Sequence, residues 1–241
     1  MDFKLEVPTS LEYFASLVQS DTEFPLLEAA ICLAQDEYPE LDIQEVLGQV
    51  DQLVSRLKKR LPADAGAIHK LRLLNKFFFE EMGFAGNANN YYDPDNSYLH
   101  VMLRTRRGIP ISLALLWLEL AGQIGLDAHG VGFPGHFLVK VHLPYPHEGK
   151  VVIDPFNGHS LTKEDLMERL SPLYAESGLA RDGEISDELL KHYLRSASPR
   201  EIMTRMLRNL EEVYGAQSDT ERLDAVKKRL KVLLPSLDEA V

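Results

Sequence analysis

Gly130-Val131-Gly132-Phe133-Pro134-Gly135-His136-Phe137-Leu138-Val139-Lys140-Val141-His142-Leu143 is the stretch on which the fold turns. From Phe137 the apolar residues Phe137, Val139, Val141 and Leu143 alternate with His136, Leu138, Lys140 and His142. Farther on, Val151 and Ile153 alternate with Lys150, Val152 and Asp154. A period of two is the mark of a strand. Pro144-Tyr145-Pro146-His147-Glu148-Gly149 between the runs is turn-rich, so the pair reads as a hairpin. Folded about Tyr145, it faces Phe137 with Ile153 and Val139 with Val151. On the opposite face His136 then meets Asp154. Directly opposed residues have Cβ atoms about 4.5 to 5.5 Å apart, within reach of an imidazole–carboxylate bond. A bulge that slipped the register by one residue would send the two side chains to opposite faces.

Upstream, Arg106-Arg107-Gly108 leads into Ile109-Pro110-Ile111-Ser112-Leu113-Ala114-Leu115-Leu116-Trp117-Leu118-Glu119-Leu120-Ala121. Proline disfavours helix in the residue before it and serine is a preferred cap, so a helix beginning at Ser112 is expected. Its apolar character nearly all round implies burial. If Ser112 only caps the helix, Asp should substitute for it.

The first hundred residues read as helices. Thr9 or Ser10 caps one running to about Gln19, and Pro25 precedes another at Leu26-Leu27-Glu28. After Asp42, Ile43, Val46, Leu47, Val50, Leu53, Val54 and Leu57 recur at helical steps, leaving Glu45, Gln49, Gln52, Arg56 and Lys59 outward. A further helix is expected from about Asp64 to Met82, stopped by Gly83. Asn87 to Asn96 is a loop. Its Asp93, Asp95 and Ser97 resemble the start of a calcium loop, but Tyr98 and Arg104 stand where glycine and glutamate are needed. Past Ser198-Pro199, Ile202, Met206, Leu207, Leu210 and Val213 mark a helix, which turns near Gly215-Ala216-Gln217-Ser218 into a second ending before Pro235. Leu207, Leu210, Tyr214 and Pro235 are spaced as in one tetratricopeptide unit, although Leu223 and Lys227 depart from its pattern. A single unit forms no solenoid, so this hairpin is expected to pack on the core. The chain thus divides into 1–195, a helical region plus core, and 196–241, a helical hairpin.

With 241 residues, 45% of them hydrophobic, the chain can bury a sizeable core without metal or disulfide. Lys and Arg number 26 against 37 Asp and Glu, a net charge of −11. That balance repels phosphate backbones and anionic lipid, which argues against nucleic-acid and membrane partners. The single cysteine, Cys32, sits among apolar residues and suits a reducing compartment. Met1-Asp2-Phe3-Lys4-Leu5-Glu6 lacks the pattern of a secretory signal. The expectation is cytoplasmic.

Gly108-Ile109-Pro110-Ile111-Ser112, Gly130 to Val139, and Ile153-Asp154-Pro155-Phe156 together resemble the transglutaminase-like superfamily, in particular its bacterial SirB-type (YchA-like) branch. The resemblance implies an α+β, cysteine-proteinase-like core in which a helix packs on an antiparallel sheet. It also implies a tetratricopeptide-like region after that core. Carried over by position, His136 matches the superfamily's histidine and Asp154 its orienting aspartate. Ser112 falls where the nucleophilic cysteine would stand. A helix start can turn a cysteine into a thiolate near neutral pH, but serine gains no comparable anion and needs a base.

Two readings therefore stand. In one, Ser112, His136 and Asp154 form the catalytic triad of an amide or ester hydrolase or acyl transferase. In the other, the frame survives without a nucleophile and the protein is a pseudoenzyme that binds a protein or peptide partner. The plain alternatives are that Ser112 only caps the helix and that His136–Asp154 only ties two strands together. Glycines 130, 132 and 135 lead into a strand, so they form no phosphate loop and serve turns and close packing. Five of the eight histidines, His129, His136, His142, His147 and His159, lie close in sequence. They show no HExxH pattern and no zinc-ligand spacing, so neither a metal nor another cofactor is expected. Oligomeric state is not readable.

Overall fold

The computed structural model describes residues 8–20, 23–145, 148–177 and 186–235; His147 lies outside them. Thr9 opens α1 (Ser10–Leu17) with a capping box, its hydroxyl accepting from Glu12 N–H while Glu12 accepts from Thr9 N–H. After α2 (Leu26–Cys32) and a 3₁₀ turn (Leu33–Asp36), Asp42 caps α3 (Ile43–Lys58) by accepting from the N–H groups of Gln44 and Glu45. The helix expected from Asp64 starts later, as α4 (Ala67–Asn75), because Gly66 takes an extended cap conformation. It widens into a π-helical turn over Lys76–Glu81 before Gly83, whose φ of +71° only glycine adopts easily. Two short strands, β1 (Ala85–Gly86) and β2 (Arg107–Gly108), pair in parallel and flank α5 (Leu99–Thr105). Sequence periodicity did not reveal these three elements.

The buried helix α6 spans Pro110–Gln123. Its start corrects the expectation: Ile109 is the N-cap residue, Pro110 occupies the first turn, and Ser112 lies inside the helix. Pro110 needs no hydrogen-bonding N–H there, so the proline begins the helix.

Strands β3 (Ala128–Val131), β4 (Leu138–Leu143), β5 (Gly149–Ile153) and β6 (Ser160–Leu161) form one antiparallel sheet in that order. The hairpin register differs from the Tyr145-centred one. Val139 faces Ile153 and Val141 faces Val151, and Leu143 and Gly149 close the ladder. The shift is two residues, so every side chain keeps its face. Val139, Val141 and Ile153 join the main core with Leu113, Leu116, Trp117 and Leu120 of α6. Val131, Phe133, Leu138 and Val152 form a smaller second layer on Leu166 and Leu170 of α7 (Lys163–Ser177) and Leu190 of α8 (Asp187–Tyr193). The sheet is therefore covered on both faces.

The closing hairpin is α9 (Pro199–Ala216) and α10 (Thr220–Leu233). Ser198 caps α9 with a capping box to Glu201. Met203, Met206, Leu207 and Leu210 enter the main core beside Phe14 of α1. Tyr214 shares a 2.6 Å hydrogen bond with Tyr98, and Arg229 bonds both oxygens of Asp36 at 2.8 Å. Among the described residues, no helix is long and apolar enough to cross a membrane.

Candidate functional site

The start of α6 forms one wall of the site. Ser112 is fully buried, and its hydroxyl is held by the main chain. It accepts from Ile109 N–H at 3.2 Å and lies 2.7 Å from the Asn96 carbonyl and 3.0 Å from the Ile109 carbonyl. A hydroxyl has a single proton to donate, and the shorter contact identifies Asn96 as its acceptor. Gly108 makes this close seating possible, since a Cβ there would fall 2.7 Å from the Ser112 oxygen. Asn96 in turn donates to the carbonyls of Asn90 and Tyr91. Ser112 thus anchors the loop that presents Tyr91 and Tyr92. His136 is not among its hydrogen-bond partners.

The opposite wall comes from the β3–β4 connection and the end of β5. Gly135, with φ of +66°, turns the chain so that His136 precedes β4. The Nε2 of His136 lies 2.7 Å from Oδ1 of Asp154. In the observed register Asp154 is one diagonal step from His136 rather than directly opposite, and diagonal neighbours on one face remain within reach of long side chains. Asp154 Oδ1 also accepts from Phe156 N–H at 3.0 Å, and Oδ2 accepts from Arg169 at 2.8 Å. Burial pushes the Asp154 carboxyl up, but the His136 bond and charge, the Phe156 N–H and Arg169 together hold it below the usual carboxylate range. An ionised carboxylate only accepts, so this network assigns the proton to Nε2 of His136. The Nδ1 of His136 has no hydrogen-bond partner among the described residues. Arg169, on α7, carries no local sequence signal, because its role depends on which end of the sheet the helix crosses.

Between the two walls lies a cavity of about 330 Å³. Ile109, Pro110 and Ile111 line it from the helix start, His136 and Phe137 from the segment just before β4, and Arg205 from α9. Tyr91 and Tyr92 stand at its edge, 41% and 68% exposed. Ser112 does not line it. Cys32 is remote in α2, fully buried, with its thiol 3.5 Å from the Ser10 carbonyl. Burial pushes that thiol up, against the charge of Arg229. A larger hollow of about 790 Å³ between α4 and the β4–β5 turn has no carboxylate in its lining.

Sequence spacing suggested no metal cluster, yet the β3–β4 ladder gathers Asp127, His129 and His142, with one ligand atom from each lying within 4.8 Å of the others. Asp127 bonds Nε2 of His129 at 2.7 Å and Nδ1 of His142 at 3.2 Å. Lys140 faces His129 and Lys150 faces His142 in the ladder. Lys140, on the same face, donates its ammonium to the Leu194 carbonyl at 2.7 Å, and Nε2 of His142 is buried without a partner among the described residues.

This arrangement, a buried helix start facing a His–Asp pair at the end of an antiparallel sheet, fits the class to which the chain belongs. It is a member of the transglutaminase-like superfamily, whose family profile matches residues 44–208. Within the curated proteins it is 36% identical over 234 residues to a UPF0162 protein of Xylella fastidiosa, covering 96% of this chain and 80% of that protein. A UPF0162 protein of Pseudomonas aeruginosa is 32% identical over 209 residues, covering 86% and 71%. Human F-box only protein 21 is 30% identical over 148 residues, covering 52% of this chain and 24% of its own length. No solved structure matches.

Proposed function

We propose that this protein is a SirB-type transglutaminase-like module that keeps the His136–Asp154 frame without a working nucleophile, and that a peptide segment of a protein partner occupies the cavity beside His136. The observation that carries this reading is the bonding of Ser112. Its hydroxyl is enclosed, spends its proton on a backbone carbonyl and has no bond to the imidazole that would have to activate it. The exposed Tyr91 and Tyr92 at the edge supply the aromatic surface that peptide recognition uses. In this reading residues 196–241 are a tetratricopeptide-like hairpin docked on a core of residues 1–195. That docking is supported by the Tyr98–Tyr214 and Asp36–Arg229 bonds. The net charge of −11 favours a protein partner over nucleic acid, and the lone free Cys32 suits a cytoplasmic setting.

The test is labelling with a serine-directed fluorophosphonate followed by peptide mass spectrometry. The folded protein should show no label on Ser112. Labelling of Ser112 that disappears in His136→Ala would establish the alternative, a Ser-His-Asp hydrolase or acyl transferase.

A further inference from the structure

We infer that the cavity beside His136 binds the carboxylate of an acidic peptide, and that Arg205 is the residue that receives it. The inference rests on the binding-module reading and names the chemistry of its ligand. Arg205 projects from α9 into the lining, where one of its N–H groups donates to the Phe133 carbonyl at 3.1 Å and its guanidinium lies over the Phe137 ring. It is half-buried, and burial pushes its pKa down, but a guanidinium stays charged in proteins.

Two other arginines shielded from water have acids, whereas Arg106, half-buried over Phe84, has none among the described residues. Arg169 bonds Asp154 and Arg229 bonds Asp36. Among the described residues Arg205 has no ion pair with any carboxylate, and four of its five N–H donors have no protein acceptor. A partly desolvated positive charge is costly unless an anion completes it. Arg205 lines the cavity beside His136 and two further hollows, one beside Gly132 and Tyr193 and one beside Thr204 and Arg208.

The three acids nearby do not fill that role. Glu201, one helical turn before Arg205, is paired with Arg195. Asp93 uses its oxygens on Asn90 and on the Asp95 N–H. Glu212 is exposed at the edge, about 10 Å farther along α9 at 1.5 Å per residue. Asp93 and Glu212 do set the charge of the entrance. One guanidinium behind an acidic edge suits a single negative charge, whereas a phosphate dianion would lack its second cation. The planar fork of arginine matches a carboxylate in two parallel bonds. His136, on the same lining, offers an unpartnered Nδ1 that can accept a peptide N–H. A carboxylate and a backbone N–H on one ligand describe a peptide bearing Asp, Glu or a free carboxyl terminus.

The test is NMR titration of the protein, following the Arg205 Nε–H and His136 imidazole resonances. The probes are acetyl-Glu-amide for a side-chain carboxylate, acetyl-Ala for a terminal one, inorganic phosphate, and acetyl-Gln-amide as the neutral control. At least one carboxylate probe should saturate both resonances with a single Kd. The neutral control should bind at least about tenfold more weakly. Arg205→Gln should lose that preference, and Arg205→Lys, keeping the charge without the fork, should fall between. An unchanged His136–Asp154 proton resonance in both variants verifies their fold. The inference is overturned if no carboxylate moves Arg205, if the neutral probe binds equally well, or if phosphate binds more tightly than both carboxylates. Fluorophosphonate labelling separates the two proposals: Ser112 labelled while carboxylates still saturate Arg205 defeats the binding-module reading alone. Ser112 unlabelled with Arg205 silent defeats this one alone.

Discussion

The sheet carries two groups in which aspartate meets histidine, and they differ in surroundings more than in composition. At one end Asp154, its side chain 3% exposed, binds His136, Arg169 and a backbone N–H. At the other end Asp127, 59% exposed, binds His129 and His142. Both carboxyls are held below the usual range. The second carboxylate is open to water, so its bonds replace hydration at little net gain. The first is closed off by the second apolar layer, so losing a partner leaves a charge uncompensated. A depressed carboxyl pKa alone therefore does not separate a structural keystone from a surface pair.

The sharpest way to break this comparison is Asp154→Ala, which should cost about 3 to 5 kcal/mol in urea unfolding because it strands Arg169 and His136. Its pH signature follows from the direction of the shift. The stability Asp154 contributes is fully present above its unfolded pKa of about 3.9 and is lost as pH falls through its lower folded value. Asp154→Asn should accordingly show a flatter decline of stability on acidification. A cost equal to that of Asp127→Ala would erase the distinction.

Next in size is Ser112→Ala, at about 1 to 2 kcal/mol for loss of a buried hydrogen bond. Ser112→Asp should be worse than alanine, because a carboxylate there would face the Asn96 and Ile109 carbonyls. An N-cap serine would show the reverse order. Asp127→Ala should cost less than about 1 kcal/mol, and that cost should shrink further in high salt. The smallest effect is expected at Cys32: its buried thiol should not react with iodoacetamide in the native protein, and alkylation conditions should leave the carboxylate titration of Arg205 unchanged.

Much of this was legible in the alternation around Val139 and Val151. Apolar periodicity identifies a face, and a face survives a register error of two residues, so His136 and Asp154 could be brought together from sequence although their direct opposition was wrong. The register itself depended on turn geometry that Pro144 to Gly149 does not specify. Ser112 was misplaced for a related reason: Pro110 reads equally as the residue before a helix or as its first, and only packing against Gly108 and Asn96 decides. Arg169 and Arg205 were not legible at all. Their roles depend on which helix crosses which end of the sheet, and no local pattern carries that information.

The bond between Arg229 and Asp36 joins residues 193 positions apart, and Arg229 is buried with Phe14 beneath its guanidinium. During synthesis Asp36 therefore waits for Arg229 of α10. At roughly 5 to 20 residues per second, that delay is on the order of 10 to 40 s. Throughout it, Phe14, Ala30 and Cys32 lack the cover that α9 and α10 finally supply. The packing of α1 and α2 is therefore complete only once the α9–α10 hairpin has been made.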